Sequence, residues 1–203
     1  MATPSLPPVA SLANADEATV TSVLDTLFEP SPEIHAIAVP AIQRRNRLAS
    51  NPDDRPDGDT AFTSYASLIE YIGSLLQQLA VYSASPASPS SSASREKLHD
   101  ILGSHPRLGA KKVDSAQSRA EQAQLNAGAA DEAERLAALN QEYEDKFPGL
   151  RYVVFVNGRS RDVIMEDMRR RIDRGDILAE EKEAIQAMVD IALDRAGKLS
   201  SES

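Results

Sequence analysis

Residues 152–156 read Tyr152-Val153-Val154-Phe155-Val156, the one run in the chain with the aromatic and β-branched composition of a strand. Its reading decides the fold. Five residues of strand are not stable without partners, and no second run of this kind exists to pair with it. Upstream, Leu136, Leu139, Asn140 and Tyr143 recur at threes and fours until Phe147-Pro148-Gly149 ends the pattern. Downstream, Asn157-Gly158 turns the chain and Ser160 caps a helix. That helix bears Val163, Ile164, Met168 and Ile172, with Arg169, Arg170 and Arg171 near its end. The run is therefore expected to be a short extended segment packed among helices, and the fold class all-α.

Further out, the helical periodicity continues. Phe62, Tyr65, Leu68, Ile69, Ile72, Leu75, Leu76 and Leu79 predict a long core helix from Thr60 to about Tyr82. Asn14 or Asp16 caps a helix with Val20, Val23, Leu24 and Leu27 inward. The next piece carries Ile34, Ile37, Ala38, Ile42 and Leu48, with Pro40 breaking or kinking it. Residues 51–59 read as a loop. The Ser/Pro-rich stretch 83–94 has nothing to bury and reads as a flexible insertion. Ser94 would cap a short helix stopped by Gly103, and Asp114 or Ser115 one reaching Leu125. Asn126 to Ala130 turns the chain. The last helix runs from about Ile177 to Ala196, with Gly197 as its cap. The expectation is one compact domain of seven to nine helices, residues 13–197, between loose tails at 1–12 and 198–203.

Composition narrows the functions. The 203 residues hold enough apolar side chains for one full core, but aromatics are only 4%, which favours helices over a β-sandwich. A formal net charge of −9 repels phosphate backbones, so nucleic-acid binding is disfavoured. No cysteine is present, which excludes disulfides, thiolate metal sites and a thiol nucleophile. His35, His99 and His105 stand at no metal-ligand spacing, so no metal is expected. No apolar run is long enough to span a bilayer. The first residues lack the pattern of a secretory signal, and the final KLSSES is not a Ser-Lys-Leu peroxisomal address. An intracellular place, cytoplasmic or peroxisomal, is expected.

The stretch with the most chemistry is residues 105–122, HPRLGAKKVDSAQSRAEQ. His105 is of the one side-chain type whose ordinary charge change falls near neutral pH, and Pro106 fixes the backbone beside it. Ser118, Glu121 and Gln122 share one face if this part is helical. A histidine on a rigid loop facing a carboxylate on a helix is an acid/base arrangement. The same residues also have plain readings. Glu121 and Gln122 could be solvated helix positions, and Ser118 an ordinary first-turn residue.

Several motifs stand in order: His105-Pro106-x-Leu108-Gly109, Ser118-x-x-Glu121-Gln122, Leu139-Asn140-x-x-Tyr143-x-x-x-Phe147, and Tyr152 to Arg159. Arg171-Ile172 and a helix with Glu180, Ala184, Ile185, Ile191 and Arg195 follow. The series resembles the OHCU decarboxylases, the 2-oxo-4-hydroxy-4-carboxy-5-ureidoimidazoline decarboxylases of urate breakdown. The resemblance is weak from about residue 16 and strong from about 98 to 196. It implies an all-α homodimer that needs no cofactor, acts on a small-molecule ureidoimidazoline and yields (S)-allantoin. It also implies the residue roles: His105, Glu121 and Arg195 as catalytic, and Pro106, Ser118, Arg119, Ala120 and Gln122 as substrate contacts. The extended segment Tyr152, Val153, Val154, Phe155 and Val156 would offer backbone groups to the substrate, and Ile191 would line the site. Here the loop between His105 and Ser118 is shorter than is usual in the family, and Arg159 and Arg171 compete with Arg195 for its role. Arg195 could equally be a favourable charge near a helix C-terminus. Asn140 and Tyr143 either orient the loop or pack, with packing favoured, and His35 and His99 are expected to be structural or exposed.

Two other functions fit the same residues. A hydrolase of a ureide or cyclic amide would use His105 and Glu121 to activate water. A non-catalytic helical interaction protein would leave these polar residues on its surface.

Overall fold

The computed structural model describes residues 6–50, 61–85, 90–110, 115–122 and 130–201. Among them are eight α-helices and one 3-10 helix, and no strand. The 3-10 helix is Val9–Asn14; the α-helices are α1 Glu17–Phe28, α2 Pro32–Ser50, α3 Tyr65–Ser83, α4 Ser91–Leu102, α5 Ala116–Gln122, α6 Ala130–Lys146, α7 Arg161–Arg174 and α8 Ile177–Ser201. The all-α expectation holds, and residues 151–156 are extended without pairing. The chain forms two compact units, divided within α3 and within α8.

The first unit holds residues 1–76 and 189–203. Asp16 caps α1 as expected, its carboxylate accepting the Thr19 N–H at 2.8 Å. Val20, Val23, Leu24, Leu27 and Phe28 bury the inner face of α1, and Ile34, Ala38 and Ile42 that of α2. Each fully buried Leu, Ile or Phe contributes about 1.5–3 kcal/mol. Gly73 lets α3 and α8 approach closely, because a Cβ there would meet Val189 Cγ2 at 2.7 Å.

Four local expectations for this unit are corrected. Pro40 neither breaks nor ends its helix: α2 runs through it. Pro40 and Ala36, four residues earlier, are both exposed, so the carbonyl that loses its helical donor belongs to a solvated turn. The tail expected to be loose is partly built, with Leu12 buried in the 3-10 helix. The Asn46 side chain donates to the Leu12 carbonyl at 2.9 Å, and the Tyr65 hydroxyl to the Pro7 carbonyl at 2.6 Å. Finally, α8 passes through Gly197 to Ser201 instead of stopping there. The core helix expected from Thr60 begins at Tyr65, where Ser64 and Ser67 exchange side-chain and backbone hydrogen bonds.

The second unit holds residues 77–188, with α6 packed on α7. Helix α4 begins at Ser91, with Ser90 at its cap position instead of Ser94. Of the expected insertion, 86–89 lie outside the described residues, as do 51–60 and most of the expected turn after Asn126. Ser115 caps α5, accepting the Ser118 N–H at 3.1 Å. Ser160 caps α7 through Val163 N–H at 3.4 Å, but the Val163 side chain is exposed, not inward. Gly175, at φ +64°, closes α7 in the left-handed conformation.

Candidate active site

The second unit brings three of the expected pieces together. His105 lies at a bend after α4 and is 5% exposed. Its carbonyl accepts from Arg151 at 3.4 Å, which ties the loop to the start of the extended segment. Two residues of the same loop are held from other helices. The Gly109 N–H donates to Gln122 Oε1 of α5 at 2.9 Å, and Asn140 of α6 donates to the Leu108 carbonyl at 3.0 Å. Packing was favoured for Asn140; it is buried and also orients the loop.

On α5, Ser118 and Gln122 are buried, Glu121 is half-buried, and Arg119 and Ala120 are exposed. Gln122 thus has one end of its amide committed to the loop. Pro106 is half-buried.

The extended segment is held mainly by side chains. Tyr152 is buried, and its hydroxyl donates to Asp167 Oδ2 at 2.6 Å. Burial, then the Asp167 hydrogen bond, push that hydroxyl far above the ordinary tyrosine range, so it stays protonated. Arg171 donates to the Val153 carbonyl at 3.2 Å and stacks its guanidinium 4.7 Å from the Tyr152 ring centre. Arg159 donates to the carbonyls of Phe155 and Val156. Val153 and Val156 are buried, Val154 and Phe155 half-buried. Among the described residues, none accepts from the main-chain N–H groups of Val153, Val154 or Phe155.

Arg171 itself is 2% exposed and Glu180 0%. Glu180 Oε1 takes both Nε of Arg171, at 2.6 Å, and its NH2. Glu180 also accepts from the Tyr143 hydroxyl at 2.6 Å and, through Oε2, from Arg174 at 2.9 Å. Burial disfavours the Arg171 charge, but Glu180 outweighs it and leaves the guanidinium above its ordinary pKa. Of the two competitors for a substrate-binding arginine, Arg171 is thus engaged in a buried ion pair and Arg159 in closing the Asn157-Gly158 turn. Sequence reasoning missed this pair. The available signal was phase: Arg171 falls three residues after Met168 and Glu180 four before Ala184, both on apolar stripes.

Ile191 and Arg195 belong to the first unit. Arg195 is 2% exposed; its NH2 donates to Glu29 Oε1 at 2.7 Å, and its NH1 reaches the carbonyls of Thr26 and Leu27 at 3.4 Å. It therefore serves the C-terminus of α1, not the end of its own helix. Glu29 there has φ +72° and ψ +151°, a backbone region nearly reserved for glycine.

His99 and His35 each face a carboxylate, Glu181 Oε1 at 2.8 Å and Asp25 Oδ1 at 2.6 Å respectively. A cavity of about 440 Å³ borders the loop at Leu108, Gly109, Leu136, Asn140 and Arg161. No expected substrate residue lines it, so the expected chemistry does not converge there. Among the described residues, no helix is long and apolar enough to cross a membrane.

These features define an all-α protein with a buried histidine loop pinned to a polar helix and to an unpaired extended segment. The OHCU decarboxylase family model matches residues 13–197, and the chain belongs to that family. It is 34% identical over 113 residues to the 2-oxo-4-hydroxy-4-carboxy-5-ureidoimidazoline decarboxylase of Haloferax volcanii, covering 54% of this chain and 66% of that one. It is 33% identical over 101 residues to the uric acid degradation bifunctional protein PucL of Bacillus subtilis, covering 49% of this chain and 19% of that one. The uric acid degradation bifunctional protein of Bacillus sp. strain TB-90 is 31% identical over 112 residues, 54% of this chain and 22% of its own. The chain spans less than two thirds of the length of these curated relatives.

Proposed function

We propose that this chain is a cofactor-free carboxy-lyase that converts 2-oxo-4-hydroxy-4-carboxy-5-ureidoimidazoline to (S)-allantoin. The observation that carries this is family membership over residues 13–197, spanning both units, which we take as one decarboxylase domain. The tying of the His105 loop to Gln122 and to Arg151 supports it.

In this reading the C–C bond to the carboxylate breaks and CO2 leaves. The electron pair passes into the adjacent ring C=N or carbonyl, and a proton then reaches the same carbon from one face. His105 is the acid/base that delivers it, and Glu121 orients its imidazole. Pro106 sets the angle of His105. Ser118, Arg119, Ala120 and Gln122 contact the substrate, Gln122 suiting a ureido or imide edge. The unclaimed amides of Val153, Val154 and Phe155 support a binding role for Tyr152 to Val156, since amide donors stabilise developing negative charge. The resemblance gives Arg195 and Ile191 a further part in substrate contact, while the Arg195 fork is here engaged with Glu29 and the last carbonyls of α1. The protein acts as a homodimer in the cytoplasm or peroxisome.

The test generates the unstable substrate from urate with the two upstream enzymes and follows its decay and the circular dichroism of the allantoin. The wild type should speed decay to optically active product, and His105→Ala should lose about 10²–10⁴-fold. No acceleration by the wild type refutes the reading. Acceleration that survives the substitution moves the proton transfer away from His105.

A further inference from the structure

The segment at residues 151–156 belongs to neither helix nor strand, so no ladder fixes it. Something else must hold its amides in register if they are to meet a substrate. We propose that Arg171 is a positioning residue for the reaction, holding the Val153–Phe155 amides in place through the Val153 carbonyl; this rests on the decarboxylase reading above.

The geometry supports a clamp and not a simple ion pair. Arg171 uses two edges and the face of one planar group: Nε and NH2 on Glu180 Oε1, NH1 on the Val153 carbonyl at 3.2 Å, and its face on the Tyr152 ring. Fixing any one edge fixes the others, because the guanidinium is rigid. Glu180 is in turn held by Tyr143 at 2.6 Å and by Arg174 at 2.9 Å, so the anchor cannot rotate away. The neighbours on α7 differ. Arg169 and Arg170 are exposed and pair with Glu142 and Asp167, touching no residue of the segment. A lysine at 171 would keep the charge but could not engage Glu180 and the Val153 carbonyl at once in a fixed plane.

The test compares Arg171→Lys and the pair Arg171→Met with Glu180→Met against wild type. The readouts are urea denaturation, kcat and KM, and backbone ¹⁵N order parameters at residues 153–155. Replacing both members of a buried ion pair by apolar residues commonly preserves folding. Arg171→Lys should fold yet lose about 10–100-fold in kcat/KM, the cost of an ångström-scale misplacement. The Met pair should recover stability without activity, with order parameters falling from about 0.85 toward 0.6. If the Met pair regains activity along with stability, the ion pair is structural only and the proposal falls. If the Met pair does not fold, Arg171→Lys decides: full activity with unchanged order parameters overturns the clamp. A wild type that does not accelerate substrate decay overturns the decarboxylase reading instead. The order parameters then judge separately whether Arg171 holds the segment.

Discussion

Replacing Gly109 by alanine should damage the histidine loop in a way that can be separated into two physical parts. Gly109 has φ +75°, so any side chain there adopts the left-handed region, at about 1–2 kcal/mol. A Cβ would also stand 2.8 Å from Leu136 Cδ2 and 3.6 Å from its Cγ. Leu136 is buried, so shifting its methyl away from the new Cβ costs packing, about 1–2 kcal/mol. The sum is about 2–4 kcal/mol, which for a chain of this size lowers Tm by roughly 10 °C. The Gly109 N–H bonded to Gln122 lies at the centre of this strain, so catalysis should fall with stability.

A double-mutant cycle isolates the overlap. Leu136→Ala alone leaves a cavity and costs about 2–5 kcal/mol. In Gly109→Ala with Leu136→Ala the overlap disappears and the new methyl fills part of the cavity. The pair should therefore cost less than the two singles added, by about 1–2 kcal/mol in urea unfolding. Additivity within about 0.5 kcal/mol would refute the steric part of this reasoning. A Gly109→Ala protein as stable as wild type would refute both parts.

Two further outcomes follow from the first unit. Tyr65 is half-buried against the Pro7 carbonyl, and burial pushes its pKa up to about 12. The folded state holds this proton more tightly than the unfolded one. Its stabilisation is thus full below the unfolded value near 10 and is lost as pH rises from there to about 12; the urea midpoint should fall across that window, and less steeply in Tyr65→Phe. At position 29, alanine and glycine both remove the carboxylate from Arg195, but only glycine relieves the backbone at φ +72°. Glu29→Gly should be more stable than Glu29→Ala by about 1–2 kcal/mol; equal or reversed stabilities in urea titration would show that the strain is absent.

Much of the fold was legible because it is written in local terms. Asp16, Ser115 and Ser160 are each a short polar residue before an apolar periodic run, and each caps its helix. The YVVFV run was read correctly as unpaired because both flanks carried helical spacing. Misreadings came where context outvoted the local signal. Pro40 and Gly197 are breakers by composition, yet each lies on an exposed part of a helix that other contacts keep folded. Val163 is apolar and in phase by one count, but the inward face of α7 is set by Ile164, Met165 and Met168. For the candidate site, the histidine loop and the polar face of α5 were visible as motifs. The Arg171–Glu180 pair was not, because ion pairs nine residues apart across a helix boundary look like ordinary surface charge.

That hidden pair belongs to a wider pattern in the second unit. A loop and an extended segment carry the expected chemistry, and neither supplies its own hydrogen-bond partners as a helix does. Side chains supply them instead: Gln122 for the Gly109 N–H, Asn140 for the Leu108 carbonyl, Arg151 for the His105 carbonyl, Arg171 for the Val153 carbonyl and Arg159 for those of Phe155 and Val156. Where such a donor is buried and charged it needs a counter-charge, which is why Glu180 is fully buried beside Arg171. Tyr143 and Arg174 then supply the hydrogen bonds to the carboxylate that Arg171 alone would leave unmade. The buried polar residues of this unit follow from placing function on irregular backbone. Substitutions among them should therefore impair activity and stability together, except where a paired apolar replacement restores only the second.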